Sequence, residues 1–192
     1  MSRLSVFNNV TLDGYFSGEG GDLRWAHGGT DDPEYQAFVA DNAKGGGVLV
    51  FGRVTYQMMA GWWPTPAAAQ MDPVVADRMN ALPKVVFSRT LTKSDWANTT
   101  LVRGDAAGEI RRRKAADGPD MVILGSGRLV AALAREGLID EYQLLVNPVV
   151  LGRGRTMFEG LEGPLSLVLA ESRAFRNGKV FLRYAAEEAA GS

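Results

Sequence analysis

The stretch Val48-Leu49-Val50-Phe51-Gly52-Arg53-Val54-Thr55-Tyr56 decides the fold class. Four apolar residues in a row, with β-branched Val48 and Val50 among them, read as a buried strand. Gly52 turns the chain, and a helix starts at once. A buried strand running directly into a helix is the unit of an α/β sheet. The same passage recurs twice. A helix over 72–81 precedes the strand Lys84 to Phe87 and the polar turn Ser88-Arg89-Thr90. The strand Met121 to Leu124 runs through Gly125-Ser126-Gly127 into a helix over Arg128 to Glu136, closed by Gly137.

Working outward, Leu4 to Val10 is a short β-rich segment followed by the turn residues Asp13-Gly14. Residues 17–31 form a long Gly-rich loop, a length often tied to function. Asp32-Pro33-Glu34 has the form of a helix start, with Tyr35, Phe38, Val39 and Asn42 on one face. The helix opened at Arg53 is expected to stop before Gly61-Trp62-Trp63-Pro64. Thr99 to Val102 is a strand, and Asp105 to Ala116 a helix with a basic face, Arg111 to Lys114. Tyr142 to Val146 is a strand. Leu165 to Phe175 and Lys179 to Tyr184 flank Asn177-Gly178, a strong hairpin signal. The end from Ala185 is expected to fray. These segments make eight strands in a mostly parallel sheet with a C-terminal antiparallel hairpin. The expected organisation is one α/β domain over 1–186 and a disordered tail over 187–192.

Composition narrows the chemistry. The 192 residues contain no cysteine, which excludes disulfides, a Cys nucleophile and Cys-ligated metals. A single histidine, His27, argues against a His-based metal site or a Ser-His-Asp triad, so no metal is expected. The formal net charge of −1 offers no field for nucleic acid or a membrane surface. The longest near-apolar stretch, Leu144 to Leu151, is too short to span a bilayer. The first residues lack a secretory h-region, so the expected location is the cytoplasm.

Three strand-to-helix junctions suit anions. At Gly52-Arg53-Val54-Thr55 the open amides and dipole of a helix start sit beside a guanidinium. Ser88-Arg89-Thr90 groups two hydroxyls and a guanidinium, as an adenosine 2′-phosphate requires, and no acid stands between Val85 and Lys93 to take a bare ribose. Leu124-Gly125-Ser126-Gly127-Arg128-Leu129 has the position of a pyrophosphate loop, although Val130 stands where a dinucleotide fingerprint has its third glycine. Each alone is equally a tight or polar turn. Together they place anion-binding groups at the C-terminal ends of several strands, where open α/β sheets bind ligands.

The order of motifs resembles a known family. Val10-Thr11-Leu12-Asp13-Gly14, Gly21-Asp22-Leu23-Arg24-Trp25, Gly52-Arg53-x-Thr55-Tyr56, Ser88-Arg89-Thr90, Gly125-Ser126-Gly127 and Pro148 to Gly154 look like the dihydrofolate reductase-like superfamily. The nearer likeness is to the branch related to the C-terminal reductase domain of riboflavin biosynthesis proteins. The resemblance implies helices on both faces of an eight-stranded sheet, NADPH as hydride donor, and a homodimer. It implies that Gly52, Arg53, Val54 and Thr55 contact cofactor phosphates, that Ser88, Arg89 and Thr90 hold the 2′-phosphate, and that Leu124, Gly125, Ser126, Gly127, Arg128 and Leu129 cover the pyrophosphate. Asp13 matches an acid associated with substrate and is the expected catalytic residue, with Gly14 beside it. Trp25 matches a mobile-loop tryptophan over the substrate.

The acid that grips a pterin in dihydrofolate reductases has Asp31 and Asp32 as its nearest counterparts, and both also suit helix capping. Arg153 and Arg155 suit a substrate phosphate or a dimer contact. The implied substrate is a pyrimidine- or pteridine-like heterocycle. A dihydrofolate reductase proper, or a nucleotide- or flavin-binding module without turnover, are the other readings. His27, Trp62 and Trp63 have both site and packing readings.

Overall fold

The computed structural model describes residues 1–29, 31–44 and 47–187. The chain runs β1 (Leu4–Thr11), β2 (Tyr15–Ser17), α1 (Pro33–Lys44), β3 (Val48–Gly52), α2 (Arg53–Trp62), α3 (Pro66–Met71), α4 (Pro73–Ala81), β4 (Lys84–Phe87) and β5 (Thr99–Val102). It continues through α5 (Ala106–Ala115), β6 (Met121–Leu124), α6 (Gly127–Arg135), β7 (Glu141–Asn147), β8 (Arg155–Thr156), β9 (Leu167–Ala174) and β10 (Val180–Ala186). Eight strands form one sheet in the order β5-β4-β3-β6-β1-β7-β10-β9, and β2 pairs with β8 apart from it. The pairs from β5 to β7 are parallel, and β10 is antiparallel to both β7 and β9.

Alternation along the strands loads both faces, as a parallel sheet flanked by helices requires. Val48, Val50, Val85 and Ile123 point to the face covered by Ile110 of α5 and by Val130 and Leu133 of α6. Leu49, Phe51 and Val86 point to the other, under Tyr56 of α2 and Met79 of α4. Farther along that second face, Tyr35 and Phe38 of α1 pack on Phe175 and Phe181. The helix after β3 and the helix after β6 therefore depart to opposite faces, although the two strands are neighbours. That divergence opens a crevice at their C-terminal ends.

The expected α/β sheet and hairpin are present, with Gly178 at φ +85° in the turn. Beyond shifts of one or two residues at element ends, four departures stand out. The second helix continues through Gly61 to Trp62 because the Trp63 amide still reaches the Met59 carbonyl; Pro64 ends it. The short α3, capped by Thr65, lies in a stretch to which the sequence reading assigned no element. The 17–31 segment contains two single-turn helices, Glu19–Gly21 and Arg24–His27, and the last residue of β2. Ala185 and Ala186 are not frayed; they pair with Val168 and Leu167. Of the expected 187–192 tail, residues 188–192 lie outside the described residues.

The basic face of α5 is consumed by ion pairs: Arg111 with Glu136, Arg112 and Arg113 with Glu109, and Lys114 with Asp140. Lys84 is buried with no carboxylate partner among the described residues. Its ammonium donates to the carbonyls of Asn80, Leu82 and Ala97 at 2.7–3.1 Å and lies over the Trp96 ring. Desolvation pushes it down to about 8, so it remains mostly charged at neutral pH and closes the end of α4. Among the described residues no helix is long and apolar enough to cross a membrane, and no cluster of three metal-ligating side chains occurs.

Candidate active site

The three polar junctions follow β4, β3 and β6, which are consecutive in the sheet. Ser88-Arg89, Gly52 to Thr55 and Leu124 to Leu129 thus stand side by side along one edge, and all line a half-open cleft of about 2000 Å³. Cross-links hold the two central turns together. The Gly52 amide donates to Ser126 Oγ at 2.8 Å, and the Ser126 amide donates to Thr55 Oγ1 at 3.2 Å. Ser126 has φ +60°, a left-handed conformation uncommon without glycine, and these bonds sustain it. Gly125 at φ +62° approaches so closely that a Cβ would meet the Thr55 side chain at 2.9 Å.

Two features give this edge its electrostatic character. α1, α3, α4 and α5 each have their first amides capped by a side chain, from Asp32, Thr65, Asp72 and Asp105. α2 and α6, whose starts face the cleft, have no side-chain cap, so their first-turn amides are open to a ligand. The second feature is the arginines. Arg3, Arg24, Arg111, Arg112, Arg113, Arg135, Arg153, Arg173 and Arg183 each meet a carboxylate. Arg53, Arg89, Arg103, Arg128 and Arg155 line the cleft, and none has a carboxylate partner among the described residues. Open helix starts and unneutralised guanidinium groups are together chemically suited to a polyanion.

The structure adds supports that sequence reasoning missed. Buried Asn8 on β1 holds Gly125 by both backbone groups: it accepts from the amide at 2.7 Å and donates to the carbonyl at 3.3 Å. A signal existed, because Leu4, Val6, Asn8 and Val10 share one parity of the strand and Asn8 is the polar one. From β2, Phe16 presses on Gly127, where a Cβ would lie 2.7 Å from its ring. Arg103 at the end of β5 was also unassigned, whereas Arg155 on β8 is one of the two arginines weighed for a substrate phosphate. The loop between β2 and α1 brings Leu23, Ala26 and His27 to the cleft. Lys179 Nζ donating to the Ala26 carbonyl at 2.8 Å, and Asn177 Nδ2 donating to the Gly29 carbonyl at 2.7 Å, anchor that loop.

Several expected site residues lie elsewhere. Asp13 does not line the cleft. It is exposed, and its carboxylate accepts from Thr11 Oγ1 at 2.6 Å and from the amides of Leu151 and Gly152 at 3.2 and 2.7 Å. Those bonds latch the turn after β1 to the loop after β7, and they occupy the group expected to do chemistry. Gly14, at φ +85°, shapes the same exposed turn. Trp25 faces a separate cavity of about 180 Å³ beside Asn147 and Lys179, its indole donating to the Asp22 carbonyl. Asp31 is an exposed turn residue away from the cleft, and Asp32 is the cap of α1. No carboxylate from the start of α1 therefore lines the cleft. Arg153 is exposed and paired with Glu19, and it is Arg155 that lines the cleft. Thr90 is off the lining; its amide and that of Leu91 donate to Ser88 Oγ, forming the turn that carries Arg89. Trp63 lines the cleft while packing on Met59.

The Thr11 hydroxyl, followed by the Gly152 and Leu151 amides, holds the Asp13 carboxyl below the usual aspartate value. A lowered folded value stabilises the latch above the ordinary value near 3.9, and the benefit is lost as pH falls through the folded value. The Leu151 and Gly152 amide resonances are therefore expected to titrate together, with a midpoint below that of a free aspartate. In Asp13→Asn these amides should lose hydrogen-exchange protection at neutral pH. Unchanged protection would show that the carboxylate does not carry the latch.

Comparison with known proteins places this geometry. The RibD C-terminal domain model matches residues 3–181. Two Bacillus subtilis (strain 168) proteins are similar along most of their length: Uncharacterized protein YyaP, 26% identical over 175 residues, covering 91% of this chain and 90% of its own, and Uncharacterized protein YwjB, 27% identical over 178 residues, covering 91% and 94%. Among solved structures, a candidate riboflavin biosynthesis protein from Shewanella sp. PV-4 superposes with a TM-score of 0.74 at 24% identity, covering 97% of this chain and 99% of that one. A pyrimidine reductase-like protein from Corynebacterium diphtheriae gives 0.62 at 11% identity, covering 97% and 92%. At these identities the superpositions describe the fold.

Proposed function

The chain belongs to the RibD C-terminal domain family, and on that premise we propose that it is an NADPH-dependent reductase of a pyrimidine- or pteridine-like heterocycle. The observation that carries the reading is the one edge where the uncapped starts of α2 and α6 meet five arginines without carboxylates. A dinucleotide phosphate bears its charge at three points, and three adjacent strand ends offer three cationic or amide-rich groups in a row.

In this proposal Arg89, with the Ser88 hydroxyl and neighbouring Arg103, holds the 2′-phosphate. The open amides of α2 and α6, with Arg53 and Arg128, hold the pyrophosphate. Gly125 and Gly127 allow the backbone to approach it, and Val54, Leu124 and Leu129 give apolar contact. NADPH bound there supplies the hydride. Beyond α6 the cleft continues over β1, where Phe7 and Asn9 form a floor and Leu23, Ala26 and His27 the side. A planar ring fits between them, and loop contact excludes water from it. Asp13, outside the cleft, acts by position: its latch steadies the loop that carries Arg155. The proposal includes a homodimer, supported by the outer strand β9, where Val168 and Leu169 are half exposed.

Titration with NADPH and with NADH, followed by nicotinamide fluorescence, tests the reading. NADPH is expected to bind at least tenfold more tightly, since an Arg–phosphate contact contributes roughly 1.5–3 kcal/mol. Absence of binding to the folded protein would end the reductase reading. Binding without oxidation across a panel of pteridines and pyrimidines would favour a module without turnover.

A further inference from the structure

The floor of the cleft contains two amide side chains whose orientation is set from behind. Asn9 on β1 and Gln143 on β7 both line the cleft and are half-buried. Register pairs Asn9 with Leu145 and Phe7 with Gln143, so the two amides lie diagonally across neighbouring parallel strands on one face. Strand spacing and rise put their Cα atoms roughly 8 Å apart, with the Phe7 ring on the same floor.

Their polarity follows from their partners. Asn147 Nδ2 donates to the carbonyls of Val10 and Leu145 at 3.3 and 2.9 Å, so that end of Asn147 must be the nitrogen. The same nitrogen donates to Asn9 Oδ1 at 3.2 Å. Asn9 therefore has its oxygen committed, and its Nδ2 donor has no partner among the described residues. Turning Asn147 over would set its oxygen against two carbonyls. The orientation is retained even though it leaves Asn147 Oδ1 buried without a partner. At the other position, Gln143 Nε2 donates to Glu141 Oε1 at 2.7 Å. A carboxylate only accepts, so the nitrogen of Gln143 is committed, and its Oε1 acceptor is free among the described residues. Glu141 is itself held by Arg3 and Arg183.

We propose that Asn9 and Gln143 are specificity-determining residues that read a neutral ring edge, Asn9 Nδ2 donating to a ring carbonyl and Gln143 Oε1 accepting from a ring N–H. This rests on the reductase reading and names its substrate chemistry: a lactam or imide edge, in preference to a protonated amidine. An amidinium needs a carboxylate, and Glu141, the one beside these amides in the cleft, is already engaged by Gln143, Arg3 and Arg183.

Two ligands with the same ring and opposite edges test this: lumazine, a pteridine dione, and the corresponding diaminopteridine. Binding is followed by tryptophan and lumazine fluorescence, with and without NADPH. The wild type should prefer lumazine. Gln143→Met, which removes the acceptor without adding charge, should weaken lumazine about tenfold, the loss of one well-made hydrogen bond. Asn9→Asp keeps the contact to Asn147 and replaces the donor by an acceptor. It should weaken lumazine by a similar factor and narrow or reverse the preference over diaminopteridine. Wild-type lumazine affinity in both variants, a wild type that prefers diaminopteridine, or one that binds neither ligand would overturn the inference. NADPH affinity, measured on the same samples, separates that failure from failure of the cofactor reading, since neither residue is placed on a cofactor phosphate.

Discussion

Arg89→Ala is expected to weaken NADPH binding about 30- to 100-fold while leaving NADH within about twofold, because a guanidinium–phosphate contact contributes roughly 2–3 kcal/mol and NADH lacks the phosphate. Ser88 Oγ accepts from the amides of Thr90 and Leu91, which shapes the chain so that Arg89 stands at the end of β4. Arg89 has no partner among the described residues, so no folded-state ion pair is lost with it and stability should be unchanged. The site is exposed, and the difference between the two cofactors should shrink as salt is raised. Arg103 donates to the Thr92 carbonyl one strand away and should preserve part of the phosphate affinity. Equal losses for NADPH and NADH would remove the 2′-phosphate assignment. Isothermal titration of both cofactors against wild type and variant decides it.

Asn8→Leu, which keeps the branched shape and the number of side-chain heavy atoms, is expected to lower stability by about 3 kcal/mol, since it strips the Gly125 amide and carbonyl of their partner in a buried place. For a chain of this size that corresponds to a melting temperature lower by roughly 6–12 °C. The second consequence is functional. Ser126 keeps a left-handed backbone conformation that surrounding bonds sustain, and Asn8 fixes Gly125 beside it. Without Asn8 the turn loosens, and NADPH should weaken about tenfold as the α6 amides lose their fixed aim. Asn8→Asp separates the effects: an acceptor for the Gly125 amide remains and the donor to its carbonyl is lost. Its stability should fall between the other two proteins. Thermal unfolding and NADPH titration on all three supply the test. A variant as stable as wild type would show that the turn holds itself.

The parts of the site that were legible are those made of backbone chemistry. Gly52-Arg53 and Gly125-Ser126-Gly127 announce themselves because a strand that turns into a helix needs glycine locally and exposes amides wherever the fold places it. Alternating strands and helices, and the Asn177-Gly178 turn, likewise depend on neighbours in the chain. Asn8 was legible in principle, as a polar residue at a core parity, but its partner Gly125 lies 117 positions away. Arg153 and Arg155 show the limit most clearly. They differ by two positions and look equivalent in sequence, yet one pairs with Glu19 and the other, opposite Ser17 across β2, lines the cleft.

Asp13 has the same lesson in chemical form. A carboxylate after the first strand is equally a catalyst or a latch until the position of Gly152, 139 residues later, is known. Local pattern was sufficient for the α/β sheet, its eight strands and the polar strand-to-helix turns, because propensity, glycine geometry and helix-end amides act over a few residues. Which side chains meet in the cleft, which guanidinium groups stay unpaired, and which way the Asn9 and Gln143 amides face depended on contacts between distant segments. Hydrogen bonds and ion pairs are short-ranged, and only the folded chain brings those partners within reach.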